Sequence, residues 1–427
     1  MAELDWDALS QFVDGMWDDS ALPDLYRFIE IPALSPAFDA DWNVNGHLDA
    51  TIDLFTAWLA TVPLEGLSVN VHQLAGLTPL ILCKVEGTAP GEVLFYSHLD
   101  KQPEFTGWSE GKGPWKPVRE GDWLFGRGSV DDGYGGYAGI ISVLALQQQG
   151  IPHPTCRFII ETCEESGSPD LPAYLAECKD DLGTPDLVIV LDSGMGDYER
   201  LWITESLRGL IGGTLSVAVS AEGVHSGMAS GVMPSSFRIA RQLLSRLEDE
   251  DTGALKPDWL HIDISDELRA DSQRICDVLG QALIDDFPFL DGVEAQSTDL
   301  VEALLAQNWR PTLSITGAGG MPALEQAGNV LRTHTDLKVS VRIPPGIESE
   351  LAAARLEPTA TLWEARVTVC FGERPGIVRQ LAAGRGIAGM MSTDTERPVG
   401  SVVVRFGEPE VRSLVLGRLL ARVGFRL

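Results

Sequence analysis

The sequence is poor in cations and in cysteine, and it has no long apolar run. Its 427 residues carry 32 Lys and Arg against 62 Asp and Glu, a formal net charge of −30. Such a field repels a phosphate backbone and an anionic bilayer alike, so nucleic acid and membrane are not expected partners. No apolar stretch approaches the roughly 20 residues that span a bilayer. The acidic start MAELDWDALSQFVDGMWDD lacks the basic and then apolar profile of an export signal, which predicts a cytoplasmic protein. Six cysteines (Cys83, Cys156, Cys163, Cys178, Cys276, Cys370) lie far apart with no CxxC pair, and read as reduced, buried thiols rather than disulfides or a zinc knot. HExxH, GxSxG, GxxxxGK(S/T) and a GxGxxG that opens a helix are also absent, which removes the commonest zincin, serine-hydrolase, P-loop and dinucleotide signatures.

What is present is an ordinary globular composition, 44% hydrophobic, at a length suited to two or three domains. GEVLFYSHLD, TCRFIIETCEE and DLVIVLDSG are short apolar runs that each end in acidic residues, and they predict buried strands. Between the first two, Gly135 to Gln149 is apolar enough for a buried helix closed by Gly150. Alternating strands and helices predict an α/β domain with a mostly parallel sheet covered on both faces. Ligands of such sheets bind beyond the carboxyl ends of the strands, and these strands deliver His98 and Asp100, then Glu164 and Glu165, then Asp192 to that edge.

After Trp202 the texture changes. LIGGTLSVAVSAEG, LKVSVRIPPG and ARVTVCFG alternate as half-buried strands do, and Phe237 to Leu247 is an amphipathic helix. The expected division is a first catalytic segment over 1–206, an inserted α+β domain over 207–370, and a return to the first domain over 371–427.

Five segments carry candidate chemistry: SHLDKQP (97–103), GRGSVDDGYGG (126–136), ETCEESGS (161–168), VLDSG (190–194) and AEGVHSGMASG (221–231). Taken singly each is weak, since an HxD pair is commonly a surface loop feature. A metal-ligating His usually has its other ring nitrogen held by a carboxylate or carbonyl, and Asp100 reaches His98 only if the strand breaks just after it. Asp131 and Asp132, clustered with Glu164 and Glu165 at one sheet edge, would repel one another unless a divalent cation offset the charge. Asp132 reads as a solvated loop acid or an N-cap of the following helix. Of the neighbours Glu164 and Glu165, which cannot face the same way on a strand, one would bind metal and the other would face the reacting water.

As an ordered set, these residues resemble the dinuclear metallopeptidases of the carnosinase and cytosolic nonspecific dipeptidase type, from about residue 20 to residue 370. SHLDKQP resembles the family's HxDxQP, GRGSVDDG its GRGxxDxKG with Gly133 in place of the usual Lys, and ETCEESGS its ExxEExGS; HSGMASG resembles its HSG segment. The resemblance implies a zinc-peptidase-like catalytic domain with a lid domain through which members dimerise. It implies two divalent metal ions, Zn2+ or Mn2+, with His98 and Asp192 on one, Glu165 on the other and Asp131 bridging both. Asp100 would orient His98, and Glu164 would be the general base. In the lid, His225 would stabilise the oxyanion, Arg342 would receive the substrate's terminal carboxylate, and Asn329 would be a polar substrate contact. The implied substrates are dipeptides or small acyl-amino acids. An acetylornithine-deacetylase-like deacylase is a further alternative, against which the QP after HLD and the HSG segment speak.

The chain departs from the family at its end. The family's last metal ligand is a His in an HGPNE-like stretch, but the last histidine here is His334. Residues 371–427 hold nine Arg, no Lys and no His against five acids, so a tail of +4 follows a body of −34. With Pro375 encoded CCT and the following bases read one nucleotide early, permitted codons for Gly376 to Gln380 spell Trp-Asn-Ser-Pro-Ala, which resembles a segment that bacterial relatives carry after the lid. The expectation is therefore an out-of-frame tail; the rival expectation is a divergent tail on a catalytically impaired pseudoenzyme or dimeric binding protein. Residues 401–406 read as a strand and Leu414 to Val423 as a helix within this tail.

Overall fold

The computed structural model describes residues 4–192, 196–197, 200–204 and 207–356, with the backbone of 366–372 and 402–404. Its backbone forms two compact units that divide between Leu201 and Trp202. In the first unit, helix α1 (Leu22–Glu30) has Pro23 in its first turn, where a missing N–H is harmless, and buries Leu22, Leu25, Phe28 and Ile29. It stops where Ile31, placed before Pro32, turns extended. Helix α2 (His47–Leu59) adds Ile52, Phe55 and Leu59 to the same core.

Five strands make the sheet: β1 (Leu67–His72), β2 (Leu80–Val85), β3 (Glu92–His98), β4 (Thr155–Glu161) and β5 (Leu187–Val190). Helix α3 (Gly135–Gln148) connects β3 to β4, and α4 (Leu171–Glu177) connects β4 to β5. The order is β1-β2-β4-β3-β5, with β4, β3 and β5 mutually parallel and β1 and β2 antiparallel. The sheet is thus mixed: its parallel part is the one built by helical crossovers, and the seven-residue link between β1 and β2 permits only an antiparallel return. α3 is buried on nearly every side. Gly139 allows its close approach, since a Cβ there would lie 2.9 Å from the Phe158 ring. Phe158 in turn stacks on Phe95 with ring centroids 4.6 Å apart, and burying such a side chain stabilises the fold by about 1.5–3 kcal/mol.

The second unit has a four-stranded antiparallel sheet. Its members are β6 (Gly209–Ala218), β8 (Thr312–Gly319), β10 (His334–Ile343) and β11 (Arg366–Gly372), in the order β8-β10-β6-β11. Buried residues alternate along β6 and β10, and the apolar face carrying Leu215, Val217, Val339 and Val341 packs on α5 (Ser236–Leu247) and α6 (Ser349–Leu356). A two-stranded ribbon joins β7 (Val224–His225) to β9 (Val330–Leu331).

Cys83, Cys156, Cys163, Cys178 and Cys276 are free and buried, as small core residues. Among the described residues no helix is long and apolar enough to cross a membrane. Within the tail, Val402–Val404 is a strand. The helix expected over Leu414 to Val423 lies outside the described residues, as do residues 373–401 and 405–427 of the tail whose reading frame was questioned.

Candidate metal centre

The parallel strands end together, and their ends build the site. β3 stops at His98, whose side chain is fully buried, and the chain turns so that the His98 Nδ1 lies 3.1 Å from the Asp100 carbonyl and 3.4 Å from its Oδ1. The strand break that Asp100 required is therefore present. Asp100 also accepts the backbone N–H groups of Glu164 (3.1 Å) and Glu165 (3.0 Å). One buried carboxylate thus fixes the imidazole and both glutamates at once.

Glu164 and Glu165 do not lie on a strand. β4 ends at Glu161, and the pair occupies a 3₁₀ turn, Glu164–Ser166. The turn brings both carboxylates toward His98, so the two-faced strand expectation gives way to a shared side. His98 Nε2 sits 3.3 Å from Asp131 Oδ1, 3.7 Å from Asp192 Oδ2 and 3.9 Å from Glu164 Oε2. Ligand atoms of His98, Asp131 and Glu165 lie within 4.8 Å of one another, as do those of His98, Glu164 and Asp192. Gln102 donates its side-chain N–H to Glu165 Oε2.

Asp132 departs from expectation. It is neither solvated nor an N-cap: its side chain is buried, Oδ2 accepts the His98 N–H at 3.2 Å, and α3 has no side-chain cap. Gly135 follows it closely, since a Cβ there would lie 2.6 Å from Asp132 Oδ1. Nothing in the sequence signalled that Asp132 would be buried. Lys101 was likewise not singled out. It is fully buried and donates from Nζ to the carbonyls of Phe28 and Ile31, tying the His98 loop to the end of α1.

The electrostatics are those of crowded acids. Burial pushes Glu164 up to about 7, against the pull of His98. Burial and the Asp131 charge push Glu165 up to about 8. Burial also raises Asp192, and raises Asp132 well above its ordinary value. Burial disfavours the charged imidazole of His98, but the Asp100 and Asp131 carboxylates overcome it and raise His98 well above its ordinary value. The His98 imidazole, 3.3 Å away, holds Asp131 below its ordinary value despite burial. His98 Nε2, Glu165 Oε1 and Asp132 Oδ1 are buried with no hydrogen-bond partner. An imidazole nitrogen without a hydrogen-bond partner, facing several carboxylates that repel one another, fits a divalent cation.

The other three candidates belong to the second unit. His225 is exposed on β7 and its Nδ1 accepts the Gly227 N–H at 3.1 Å; the Ser226 N–H donates to the Asn329 carbonyl at 2.8 Å, so Asn329 is its neighbour. Arg342 is exposed on β10, in register with Leu210 of β6 and Thr312 of β8. Among the described contacts none joins Arg342 to His225 or Asn329.

A mixed sheet whose parallel strand ends gather one imidazole and several carboxylates defines a hydrolase of the metallopeptidase class. The chain belongs to peptidase family M20/M25/M40, whose model matches residues 94–379 and so ends within ten residues of the composition break. It is 27% identical over 373 residues to the Cys-Gly metallodipeptidase dug1 of Schizosaccharomyces pombe, covering 82% of this chain and 74% of that protein. It is 28% identical over 305 residues to the Beta-Ala-His dipeptidase of Homo sapiens, covering 69% and 58%. Among solved structures, the dipeptidase Dug1p of Saccharomyces cerevisiae matches with a TM-score of 0.66 at 21% identity over 86% of this chain and 79% of that one. Human carnosine dipeptidase 1 matches with a TM-score of 0.66 at 22% identity over 87% and 80%. At these identities the structural likeness speaks for the fold.

Proposed function

We propose that this peptidase hydrolyses the amide bond of dipeptides or small acyl-amino acids bearing a free carboxylate. The observation that carries the reading is His98, buried, oriented by Asp100 and aimed with a vacant Nε2 at the carboxylates of Asp131, Glu164 and Asp192. The dipeptidase names of the relatives support the substrate class.

His98 and Asp192 are assigned to one divalent cation and Glu165 to a second, with Asp131 shared; zinc or manganese suits these donors. Bound cations of this kind acidify water and polarise a carbonyl. Glu164, a carboxylate that is not assigned as a ligand, takes the proton of the attacking water at Oε2 and returns it to the departing amine nitrogen as the C–N bond breaks. Its environment favours that work, because burial sets its pKa near 7, where it both accepts and releases a proton. Asp100 keeps Nδ1 protonated and so leaves Nε2 as the donor to metal. His225, Asn329 and Arg342 are assigned to substrate: an imidazole donor for the oxyanion, a polar contact, and a guanidinium fork for the terminal carboxylate. Dimerisation through the second unit is part of the proposal, supported by the edge position of the exposed strand β8.

One observation favours a second reading. With no histidine after His334, the second cation keeps only Asp131 and Glu165 as assigned ligands, a weak set, and a binding protein without turnover would have the same remains. A dipeptide panel incubated with the Zn2+- or Mn2+-loaded full chain, followed by amine release, separates the two. Turnover that a chelator abolishes and added metal restores is expected; no release from any dipeptide would overturn the hydrolytic reading.

A further inference from the structure

Glu161 lies three residues before the proposed base, and neither the metal centre nor the substrate contacts use it. It ends β4, where its carbonyl accepts the Leu99 N–H at 2.8 Å, and its side chain is 2% exposed. Its carboxylate is surrounded by donors from three places in the chain. Tyr96 Oη donates to Oε1 at 2.6 Å, Ser168 Oγ donates to Oε1 at 2.8 Å, and Cys163 Sγ donates to Oε2 at 3.2 Å. An acceptor with three converging donors is satisfied in a buried setting, and each donor left without it would be buried and unpartnered.

Two of those donors bracket the turn that carries Glu164 and Glu165. Cys163 opens it, and its carbonyl accepts the N–H groups of Ser166 and Ser168 at 3.2 and 3.0 Å. Ser168 closes it in the left-handed region at φ 51, a conformation that a residue with a Cβ adopts only when its surroundings hold it there. On the opposite side, Asp100 takes the N–H groups of Glu164 and Glu165. All five amides from Glu164 to Ser168 are therefore hydrogen-bonded, with one carboxylate gripping the turn through its backbone and the other through the side chains at its ends.

We infer that Glu161 is a positioning residue for hydrolysis: by clamping Cys163 and Ser168 against Tyr96, it fixes the turn that aims Glu164 at the reacting water and Glu165 at its cation. The catalytic consequence rests on the proposed function; the geometry of the clamp does not. The test compares wild type with Glu161→Ala and Glu161→Gln as full chains, reading hydrogen exchange in the metal-free protein and steady-state kinetics with a hydrolysed dipeptide. In Glu161→Ala, segment 164–168 is expected to exchange at least about tenfold faster while β1 and β2 keep their protection. For the same variant, kcat is expected to fall about 100-fold with KM within about threefold, since misplacing a reacting group acts on the chemical step. Glu161→Gln, which keeps one acceptor oxygen, is expected to recover part of both effects. If Glu161→Ala does not fold, Glu161→Gln and Ser168→Ala carry the same comparison.

Unchanged protection of 164–168 in a folded variant would overturn the inference. So would faster exchange spread evenly through the first unit, or an intact kcat, because a residue that only stabilises the core would give those results. A wild-type chain that hydrolyses no dipeptide defeats the proposed function and leaves the exchange measurement to decide the role of Glu161.

Discussion

The candidate residues of the first unit and those of the second are held in opposite ways. His98, Asp100, Asp132 and Glu161 are buried, and each takes part in hydrogen bonds within the first unit, with carboxylates serving as the struts. His225, Asn329 and Arg342 stand exposed on a ribbon and a strand. On the proposed roles, the difference separates two tasks. Gathering repelling acids in a space of a few ångströms needs a rigid frame and a cation to reward it, whereas meeting a substrate needs exposed groups that remain free to engage it. Substitutions in the first unit should therefore act on metal binding and kcat, and those in the second chiefly on oxyanion stabilisation and KM.

The largest effect is expected for Glu164→Ala, which removes the proton carrier and no assigned ligand. Its kcat should fall about 10³- to 10⁴-fold with metal content unchanged, read by steady-state kinetics and elemental analysis. Retained activity would sink the role given to Glu164. His225→Ala comes next: losing an oxyanion donor should lower kcat about 10²- to 10³-fold, and a change confined to KM would break the comparison. For Arg342→Met the expectation is reversed, with KM for a dipeptide raised about 10- to 100-fold and a smaller change in kcat, read on the same substrate with its carboxylate free and amidated. A variant equally poor with both substrates would show that Arg342 does not read the carboxylate.

The smallest effect sharpens the comparison from within the first unit, at the far end of β3. A hydrogen bond from Arg157, 2.9 Å away, holds the Glu92 carboxyl below its ordinary 4.5, with the Thr184 N–H adding to it against burial. A lowered carboxylate stabilises the fold above its unfolded value and loses that contribution as pH falls through its folded value. Glu92→Gln should thus cost about 1–2 kcal/mol at pH 7 and leave kcat unaltered. The stability gap from wild type should narrow as denaturant melts are taken below pH 4.5. A gap independent of pH would remove the ion pair from the account.

Much of the frame was readable from residues alone. The apolar runs ending at His98, Glu161 and Val190 announced three strand ends, and period-two alternation announced β6 and β10, because burial on two faces and on one face leave different patterns. The order of the five motifs then placed His98, Asp131, Glu164, Glu165 and Asp192 at one edge. What stayed hidden depended on distant partners. Lys101 drew no reading from the sequence, because the carbonyls of Phe28 and Ile31 that hold it meet it only in the fold. Asp132 read as a solvated or capping acid, but the path of the backbone buries it and leaves Asp131 half-exposed. Glu161 looked like the polar end of an apolar run, although it stood first in the motif, because Tyr96 and Ser168 meet it only in the fold.

On the proposed reading, the first unit gathers its acids around divalent cations. Calorimetric titration of the metal-free full chain with Zn2+, checked by native mass spectrometry, tests it most directly. Two equivalents are expected on the wild-type chain and on Glu164→Ala, with binding lost or greatly weakened in His98→Ala. Fewer than two equivalents on the wild-type chain, or binding indifferent to His98, would contradict it.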